Sequence, residues 1–451
     1  MSGLTDVLNI AKTALLTQQR AMTVTGNNIA NANTPGYVRE TLNELEETPE
    51  RTPKGTVGRG VMDTGVYAER DTFLDASYRN ENSAYNQSNT LQNLLDQLQS
   101  VTSQDQNSGL ANSLDTLWGS FSDLANDPSN GAAKVTVQAD ANQVIQQLHS
   151  LQSGLDDVVS SAKQQFSSDV DEVNSLTSQI AALNTQIVAQ GGPNHQAPDL
   201  ENQRGVLIDQ LSNLVDVRTL NRTDGSVGVI AGGTLLVDAG TAQQVDMRTS
   251  PSGGLSVGVV GSPASMTISS GSLAGLNDLL TDAAPAAQSA LDTFTSALVT
   301  SVNAIHSTGP AGINFFDPSG TTARSIALSS QVAASAANIQ TGTTTSPGDN
   351  TIALQLSQLR DASNASLGGN TLDQYFAGVV TDIGTRAANA QTAATAANTV
   401  SSALSQQRQS ETGVNTDEEL IKLMQQQQAY SAAAHLVTVA NQMMQSLLDM
   451  V

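Results

Sequence analysis

Mostly apolar residues at both ends of the chain recur at alternating spacings of three and four. The first stripe comprises Leu4, Leu8, Ala11, Leu15, Gln18, Met22, Thr25, Ile29 and Ala32. The last stripe comprises Leu420, Leu423, Gln427, Tyr430, Ala434, Val437, Asn441, Met444, Leu448 and Val451. This spacing places each set on one side of a helix, at the a and d positions of a coiled coil. Since neither stripe can bury itself alone, we expect residues 1–36 and 412–451 to pair as a terminal coiled-coil base.

The larger side chains of the two stripes are the predicted assembly interface. They are Leu4, Leu8, Leu15, Met22, Ile29, Leu420, Leu423, Tyr430, Val437, Met444 and Leu448. Polar residues share the same stripes, where they lower stability but set the register. Either the helices are only half-buried in the monomer, or they contact several neighbours in an assembly. We favour the second interpretation.

Longer helical stripes fill much of the chain between the two ends. They cover residues 73–101, 110–124, 134–190, 200–214, 276–305 and 371–409. The stripe over 134–190 alone predicts a helix of about 80 Å, stopped by Gly191-Gly192-Pro193. We therefore assign residues 37–215 and 271–411 to a long-helix rod domain, which includes an extended segment over 37–70.

Residues 216–270 change to a period of two, which is typical of strands. Asp224-Gly225 is a hairpin turn signal within this segment. The fold class is therefore mainly α, with a small all-β domain inserted mid-sequence. We expect the rod to fold without this insertion. After Gly413, Thr416 and Glu419 predict a capping box at the start of the last helix.

Composition narrows the possible partners. The formal net charge is −23, from 19 basic and 42 acidic residues, which argues against binding to nucleic acid or to anionic membranes. The absence of cysteine excludes disulfides, thiolate metal sites and a cysteine nucleophile. No stretch reads as a signal peptide or a membrane span, so we expect a chain that is cytosolic or exported without a cleaved signal, with no membrane insertion.

No catalytic constellation is visible in the sequence. The histidines, His149, His195, His306 and His435, are far apart and belong to no known metal-binding spacing. The chain is therefore expected not to be an enzyme and to use no metal or cofactor. One alternative stays open: a carboxylate-only hydrolase or a calcium site in the β insertion, built from Asp216, Asp224, Asp238 and Asp246.

The segment after the first stripe resembles the N-terminal signature of bacterial flagellar rod, hook and hook-associated proteins. The residues that carry this resemblance are Asn27, Asn28, Asn31, Asn33, Pro35, Gly36 and Tyr37. Near the other end, Gly413-Val414-Asn415 and Gln427-Gln428-Ala429-Tyr430 resemble the hook-associated protein 1 family within that group. An asparagine-rich helix end followed by a Pro-Gly exit also suits a fixed joint between a coiled-coil base and extended chain.

The resemblance implies a structural junction protein that polymerises between hook and filament as a mechanical adaptor. It implies export through the flagellar type III apparatus, so that the protein is cytoplasmic at first and extracellular once assembled. The implied partners are the hook protein, hook-associated protein 3, further copies in a ring, and the export chaperone FlgN. The chaperone is expected to cover Leu420, Leu423, Tyr430, Val437, Met444 and Leu448. The alternative within the group is another axial component, such as a hook, distal rod or filament-type protein.

Overall fold

The computed structural model describes residues 2–52, 55–102, 109–190, 197–249 and 254–449. The helices are α1 (Ser2–Asn31), α2 (Thr72–Thr102), α3 (Leu110–Asn126), α4 (Gly131–Gln190), α5 (Pro198–Leu214), α6 (Ser272–Asp278), α7 (Ala284–His306), α8 (Ser330–Ala334), α9 (Thr351–Ser357), α10 (Leu372–Thr412) and α11 (Thr416–Leu448). The mainly helical fold class is confirmed. The helix stop predicted at Gly191-Gly192-Pro193 lies outside the described residues, as does His195.

The strands are β1 (Glu40–Glu46), β2 (Glu50–Thr52), β3 (Gly55–Val57), β4 (Val61–Ala68), β5 (Val217–Asn221), β6 (Val227–Ala231), β7 (Thr234–Asp238), β8 (Thr241–Ala242), β9 (Val245–Thr249) and β10 (Leu255–Val259). β1 pairs with β4 and β2 with β3, all antiparallel. In the insertion, β5 to β8 form a sheet in sequence order, beside the separate pair β9–β10. The predicted turn at Asp224-Gly225 joins β5 to β6.

The long helices form the rod because their apolar stripes pack against one another. α4 has 60 residues and is therefore about 90 Å long. Its apolar residues belong to two successive hydrophobic clusters. Phe166 lies in the first cluster with residues of α2 and α10, and Val144 lies in the second with residues of α3 and α7. Two cores thus follow one helix, which gives an elongated body.

The β insertion does not have a core of its own. Val229 of β6 and Val237 of β7, each fully buried, share the first cluster with Phe166 and Ile180 of α4. Asn174 of α4 also bonds the backbone of Val245 in both directions, at 2.9 and 2.8 Å. Removal of residues 219–268 would uncover this side of α4. That the rod folds without the insertion stays a prediction, and the shared cluster is the contact that such a deletion would remove.

The extended segment after α1 folds back onto α1. β1 and β4 both contact this helix, and Arg20 of α1 forms an ion pair with Asp63 of β4 at 2.5 Å. A Cβ added to Gly60 would meet Thr13 of α1 at 2.4 Å, so the chain approaches the helix closely there. The predicted division assigns residues 37–70 to the rod, but this hairpin lies beside the terminal base.

α11 begins differently from the prediction. Asn415 is the N-cap residue, and its side-chain oxygen accepts bonds from the backbone nitrogens of Asp417 and Glu418 at 3.0 and 3.4 Å. Asparagine is among the best N-cap residues because its short side chain reaches these free N–H groups. The capping box predicted at Thr416 and Glu419 is wrong, and the Glu419 carboxylate is free for another contact.

Candidate assembly site at the paired terminal helices

α1 and α11 pack against each other, as the two stripes predict. Asn28, in the last turn of α1, donates to the Glu419 carboxylate in the first turn of α11 at 3.0 Å. Because the end of one helix meets the start of the other, the two helices run in opposite directions. Among the described elements, α1 is the one against which α11 packs extensively.

The buried seam between the helices consists of small and polar side chains. On α1 the buried residues are Ala11, Thr17, Ala21, Val24, Thr25 and Asn28. On α11 they are Glu419, Ala433 and Ala440. Ala11 and Thr25 match the predicted stripe, whereas Thr17, Ala21 and Asn28 are buried one residue before the predicted Gln18, Met22 and Ile29. Short side chains let the helix backbones approach closely, and they leave the longer side chains at the flanks.

The predicted interface residues therefore divide into two groups. Leu4, Leu8, Leu15, Met22, Ile29, Leu423 and Val437 are partly buried. Leu420, Tyr430, Met444 and Leu448 are 48, 38, 36 and 73% exposed. These four are not buried against α1 within one chain, and their place in an assembly interface stays a prediction. The β1–β4 hairpin also packs against α1, so α11 is not the sole neighbour of α1 among the described elements.

α11 presents a long apolar surface to solvent. Its large exposed side chains are Leu420, Ile421, Met424, Tyr430, Leu436, Val439, Met443, Met444, Leu447 and Leu448. Residues 423–448 contain no aspartate, glutamate, lysine or arginine. We call this surface the outer face of α11. Burying the part of this face within residues 423–448 would desolvate no carboxylate, lysine or arginine of its own, so it can enter an interface at little cost. Lys422, beside Ile421, already pairs with Glu419.

The signature motif forms a saturated hydrogen-bond joint at the end of α1. The side chain of Asn28 is 1% exposed. Its Nδ2 donates to the Glu40 carbonyl at 2.8 Å and to Glu419 at 3.0 Å. Its Oδ1 accepts from the Tyr37 hydroxyl at 3.0 Å and from the Glu40 backbone nitrogen at 2.9 Å. An amide side chain has two donor hydrogens and two acceptor lone pairs, and here all four are used.

The other motif residues shape the turn around this joint. Asn31 donates to the Asn27 side chain at 2.9 Å, and Thr34 donates to Asn31 at 3.2 Å. Gly36 has φ +76°, and a Cβ there would lie 2.2 Å from Val206 of α5, so both the backbone conformation and the space require glycine. Pro35 and Asn33 are exposed.

A second set of contacts ties the joint to the α10–α11 connection. The Arg39 backbone nitrogen donates to the carbonyl of Thr412, the last residue of α10, at 2.8 Å. The Arg39 guanidinium forms ion pairs with Glu69 and, at 3.7 Å, with Glu418. The chain passes between base and rod twice, after α1 and after α10. These contacts join the two connecting segments to each other.

Acidic groups at the joint have unusual protonation. Burial, followed by the charge of Asp199 on α5, raises the pKa of Glu40 to about 7. Burial, followed by Glu40, also raises the pKa of the Tyr37 phenol, so the hydroxyl keeps its proton and donates to Asn28. Sequence reasoning missed Glu40, Asp199 and the role of Glu419. Glu40 lies close in sequence to the motif and Glu419 lies in the first turn of α11, whereas Asp199 is far from both along the chain.

The Glu40→Gln variant is expected to be more stable than the parent above pH 7 and equally stable near pH 4.5. The folded-state pKa of Glu40 is about 7, against an ordinary value of 4.5. Its contribution to stability is therefore full below pH 4.5 and is lost as the pH rises through 7. Glutamine cannot ionise, so the variant should gain about 1–3 kcal/mol at pH 8. Melting temperatures of both proteins at pH 4.5 and 8 test this.

Glu44→Gln is the matched control, because Glu44 lies on the same strand and is exposed. It should leave the difference between the two pH values as it is in the parent. Equal effects of the two substitutions would show that the buried environment of Glu40 has no influence on its ionisation.

The four aspartates of the β insertion, considered above as a hydrolase or calcium site, do not form a common site. Asp224 accepts bonds from Ser226 within its turn at 2.7 and 2.9 Å. Asp238 pairs with Arg222, and Asp246 pairs with Arg248 at 2.9 Å. Asp216 accepts from the Ser269 backbone nitrogen at 3.1 Å. Each carboxylate is engaged in a separate local contact, and they do not converge on one point.

The described ranges also bear on metal binding and on membrane insertion. Within them no three histidine, cysteine, aspartate or glutamate side chains are grouped as they would be to hold a metal ion. Within the same ranges, no helix combines the length and the apolar character that crossing a membrane requires. His306, fully buried, lies between the Ile313 carbonyl at 2.7 Å and the Gln340 backbone nitrogen at 2.9 Å. Burial lowers its pKa to about 4, so it is a neutral packing residue.

Comparisons with known proteins agree with this arrangement. The model of the flagellar hook-associated protein FlgK helical domain matches residues 95–316. The flagella basal body rod protein model matches residues 8–37, and the C-terminal model of the flagellar basal body rod FlgEFG proteins matches residues 405–450. The last two matches cover most of α1 and α11, the two helices that pair.

Individual relatives are similar to this chain over different shares of its length. Flagellar hook-associated protein 1 of Bacillus subtilis is 29% identical over 98% of this chain and 97% of its own length. Its counterpart from Salmonella typhimurium is 29% identical over 54% of this chain and 44% of that protein. The solved structure of the flagellar hook junction protein FlgK from Burkholderia pseudomallei has a TM-score of 0.65 at 16% identity. It covers 74% of this chain and all of that chain, and it supports the fold. The chain is thus similar to flagellar hook-associated protein 1 (FlgK) over nearly its whole length, and it matches the FlgK helical-domain model over residues 95–316.

Proposed function

We propose that this chain is a structural subunit of the junction between the flagellar hook and filament, and that it has no enzymatic role. The observation that carries this proposal is the outer face of α11, which is apolar and exposed. Residues 423–448 contain no acidic, lysine or arginine side chain. Among the described elements, α11 packs extensively only against α1. A surface of this kind is expected to be covered by other subunits. The relatives named hook-associated protein 1 add the location.

The mechanism is geometric. The paired helices of one subunit contact the paired helices of neighbouring subunits through different surfaces, so the contacts repeat and extend around and along an axial structure. The joint at Asn28 and Arg39 holds the base at a defined angle to the rod. In this way the lattice built by the termini carries the rod domain outward as a mechanical adaptor.

The partners follow from this role. We expect the hook protein on one side, hook-associated protein 3 on the other, and further copies of this chain around a ring. Leu4, Leu8, Leu15, Met22 and Ile29 are partly buried and would complete their burial in these contacts. Assembly would take place outside the cell, after export through the flagellar type III apparatus.

Before export, the outer face of α11 needs cover in the cytoplasm. A chaperone of the FlgN type would bind there, in the helix-in-groove manner by which apolar helix faces are recognised. Leu420, Tyr430, Met444 and Leu448 are already accessible, and Leu423 and Val437 would be reached at the edge of the seam.

Deletion of the gene from the source bacterium tests the proposal. We expect hooks without filaments and flagellin released into the medium, with both defects reversed by the intact gene supplied in trans. Electron microscopy of the cells and an immunoblot of the medium measure these outcomes. Missing hooks would instead indicate a rod or hook component. Normal flagella would contradict an axial role altogether.

A further inference from the structure

A basic cavity lies where the rod helices meet the inserted sheet. It measures about 300 Å³, room for several water molecules of about 30 Å³ each. The residues around it come from the start of α2, from α5 and from the β5–β6 hairpin. Its charged residues are Arg70, Arg79, Arg204, Arg222, Asp75 and Glu201. Four of the 19 basic residues of a strongly acidic chain therefore line one cavity.

The carboxylates at this cavity do not balance its arginines. Asp75 is shared, because it lies 3.3 Å from Arg70, 3.8 Å from Arg79 and 3.4 Å from Arg408 of α10. Asp209 is likewise shared, between Arg79 at 2.6 Å and Arg408 at 2.8 Å. Three guanidinium groups thus face two carboxylates, even before Arg204 is considered.

Arg204 is the residue with the least compensation. It is 8% exposed, and its Nη1 donates to Asn184 Oδ1 and to the Gly225 carbonyl, both at 2.8 Å. Over the described ranges, no carboxylate oxygen forms an ion pair with it within 4.0 Å, whereas Arg70, Arg79 and Arg222 each have such a partner. Burial lowers its pKa to about 10. The charge of Glu201, one turn earlier on α5 and at the same cavity, partly offsets this effect from beyond ion-pair distance. A buried charge without a carboxylate in direct contact is costly.

Arg70 adds a donor that has no acceptor. Its guanidinium lies over Gly205 of α5, where an added Cβ would be 2.7 Å from Nη1. Its Nη2 donates to Asn202 Oδ1 at 2.8 Å and to the Glu201 carbonyl at 3.3 Å. Its Nε is buried and finds no acceptor among the described residues, and the same holds for Asn202 Nδ2. Buried donors of this kind are rare in folded proteins and indicate a missing partner.

We propose that this cavity binds a small oxyanion, with Arg204 and Arg70 as its principal ligands and Arg222 at the entrance. Guanidinium groups offer pairs of parallel N–H donors that fit the oxygens of a carboxylate or a phosphate. The shared chemistry has two sources, a free anion from the medium or the carboxylate of a second copy of this chain. Through Arg79, Asp209 and Arg408, the bound anion would also brace α2 and α5 against α10.

Thermal unfolding of the full chain in inorganic phosphate, against chloride at the same pH and ionic strength, tests the site. The parent should gain about 2 °C or more in Tm with a saturable dependence on phosphate. In Arg204→Gln the apparent affinity should fall about tenfold or more, because a charged ligand bond is lost. Arg222→Gln, on the more exposed Arg222 side chain, should weaken binding in the same direction and serves if Arg204→Gln does not fold.

Arg324→Gln is the matched control, because Arg324 is 65% exposed and pairs with Asp156 on α4 away from the cavity. It should respond to phosphate as the parent does. A response that is equal in all four proteins, or a response that is absent in the parent, would overturn the proposal.

Sedimentation at increasing protein concentration separates the two sources. A carboxylate from a second copy predicts self-association that phosphate reverses and that Arg204→Gln weakens. A free anion predicts saturable phosphate binding with unchanged self-association. Either result supports the site when it accompanies the variant-specific loss of phosphate stabilisation.

Discussion

Aspartate at Leu448 or at Met443 is expected to abolish incorporation of this chain into flagella while the isolated protein stays folded. Both side chains are on the outer face of α11, 73 and 48% exposed, so the substitution changes little within one chain. In the assembly the substitution would bury an unpaired carboxylate, at a cost of about 3 kcal/mol. This cost lowers the affinity of each contact between subunits by a factor of more than about 100. The fraction of cells with filaments, in a deletion strain that expresses each variant, measures the effect.

Two controls separate this effect from a loss of folding. Ser160→Asp places the same charge at an exposed site on α4 and should support normal filaments. Ala440→Asp places it at a residue 1% exposed in the seam, so it should also lower the Tm of the isolated protein. Normal filaments with Leu448→Asp and Met443→Asp would mean that the outer face is not an interface.

The long helices were predictable because each repeats one pattern over many turns. α2, α4 and α10 end within a few residues of the predicted limits, because an apolar stripe maintained over 30 or more residues leaves little freedom in the choice of period. The strands of the insertion were predictable from their period of two and from the Asp224-Gly225 turn. Their attachment to α4 was not, because an alternating strand pattern does not say which helix covers its apolar side.

The seam was predicted only in part, since heptad reasoning assumes a single partner for each helix. α1 has two, α11 and the β1–β4 hairpin. Arg20 with Asp63, and Thr13 beside Gly60, show the second contact. The buried residues are displaced by one from the stripe at several positions, so that Ala21 is buried and Met22 is only partly buried. The spacing of the stripe alone does not show that α1 packs against the hairpin as well as against α11.

The joint illustrates a different limit. The asparagines were identified by resemblance to a family, and the structure supplies their bonds. Glu40 and Glu419 were not identified as buried, because acidic residues in an acidic chain are by default expected at solvated surfaces. Glu419 is 1% exposed and pairs with Lys422 at 2.8 Å as well as with Asn28. Burial of a carboxylate depends on partners that come from distant parts of the sequence.

Asn28→Ala is expected to release α11 from α1. The change removes all four bonds of the amide and leaves Glu419, the Tyr37 hydroxyl and the Glu40 backbone with fewer partners. Each buried group left without a partner costs about 1–3 kcal/mol, and more if it is charged, so several kcal/mol of docking free energy should be lost. Hydrogen–deuterium exchange over residues 416–448 should become at least about 100-fold faster, with the rod amides unchanged.

Asn33→Ala tests whether any asparagine in the motif would have this effect. Asn33 is exposed, so its exchange pattern should match that of the parent. Asn28→Asp keeps the shape but places an oxygen against the Glu40 carbonyl and the Glu419 carboxylate, where Nδ2 donates in the parent, so docking should be weakened as in Asn28→Ala. Equal exchange in Asn28→Ala and Asn33→Ala would show that the hydrogen-bond joint does not hold α11. The attachment of the base would then depend on the apolar seam alone.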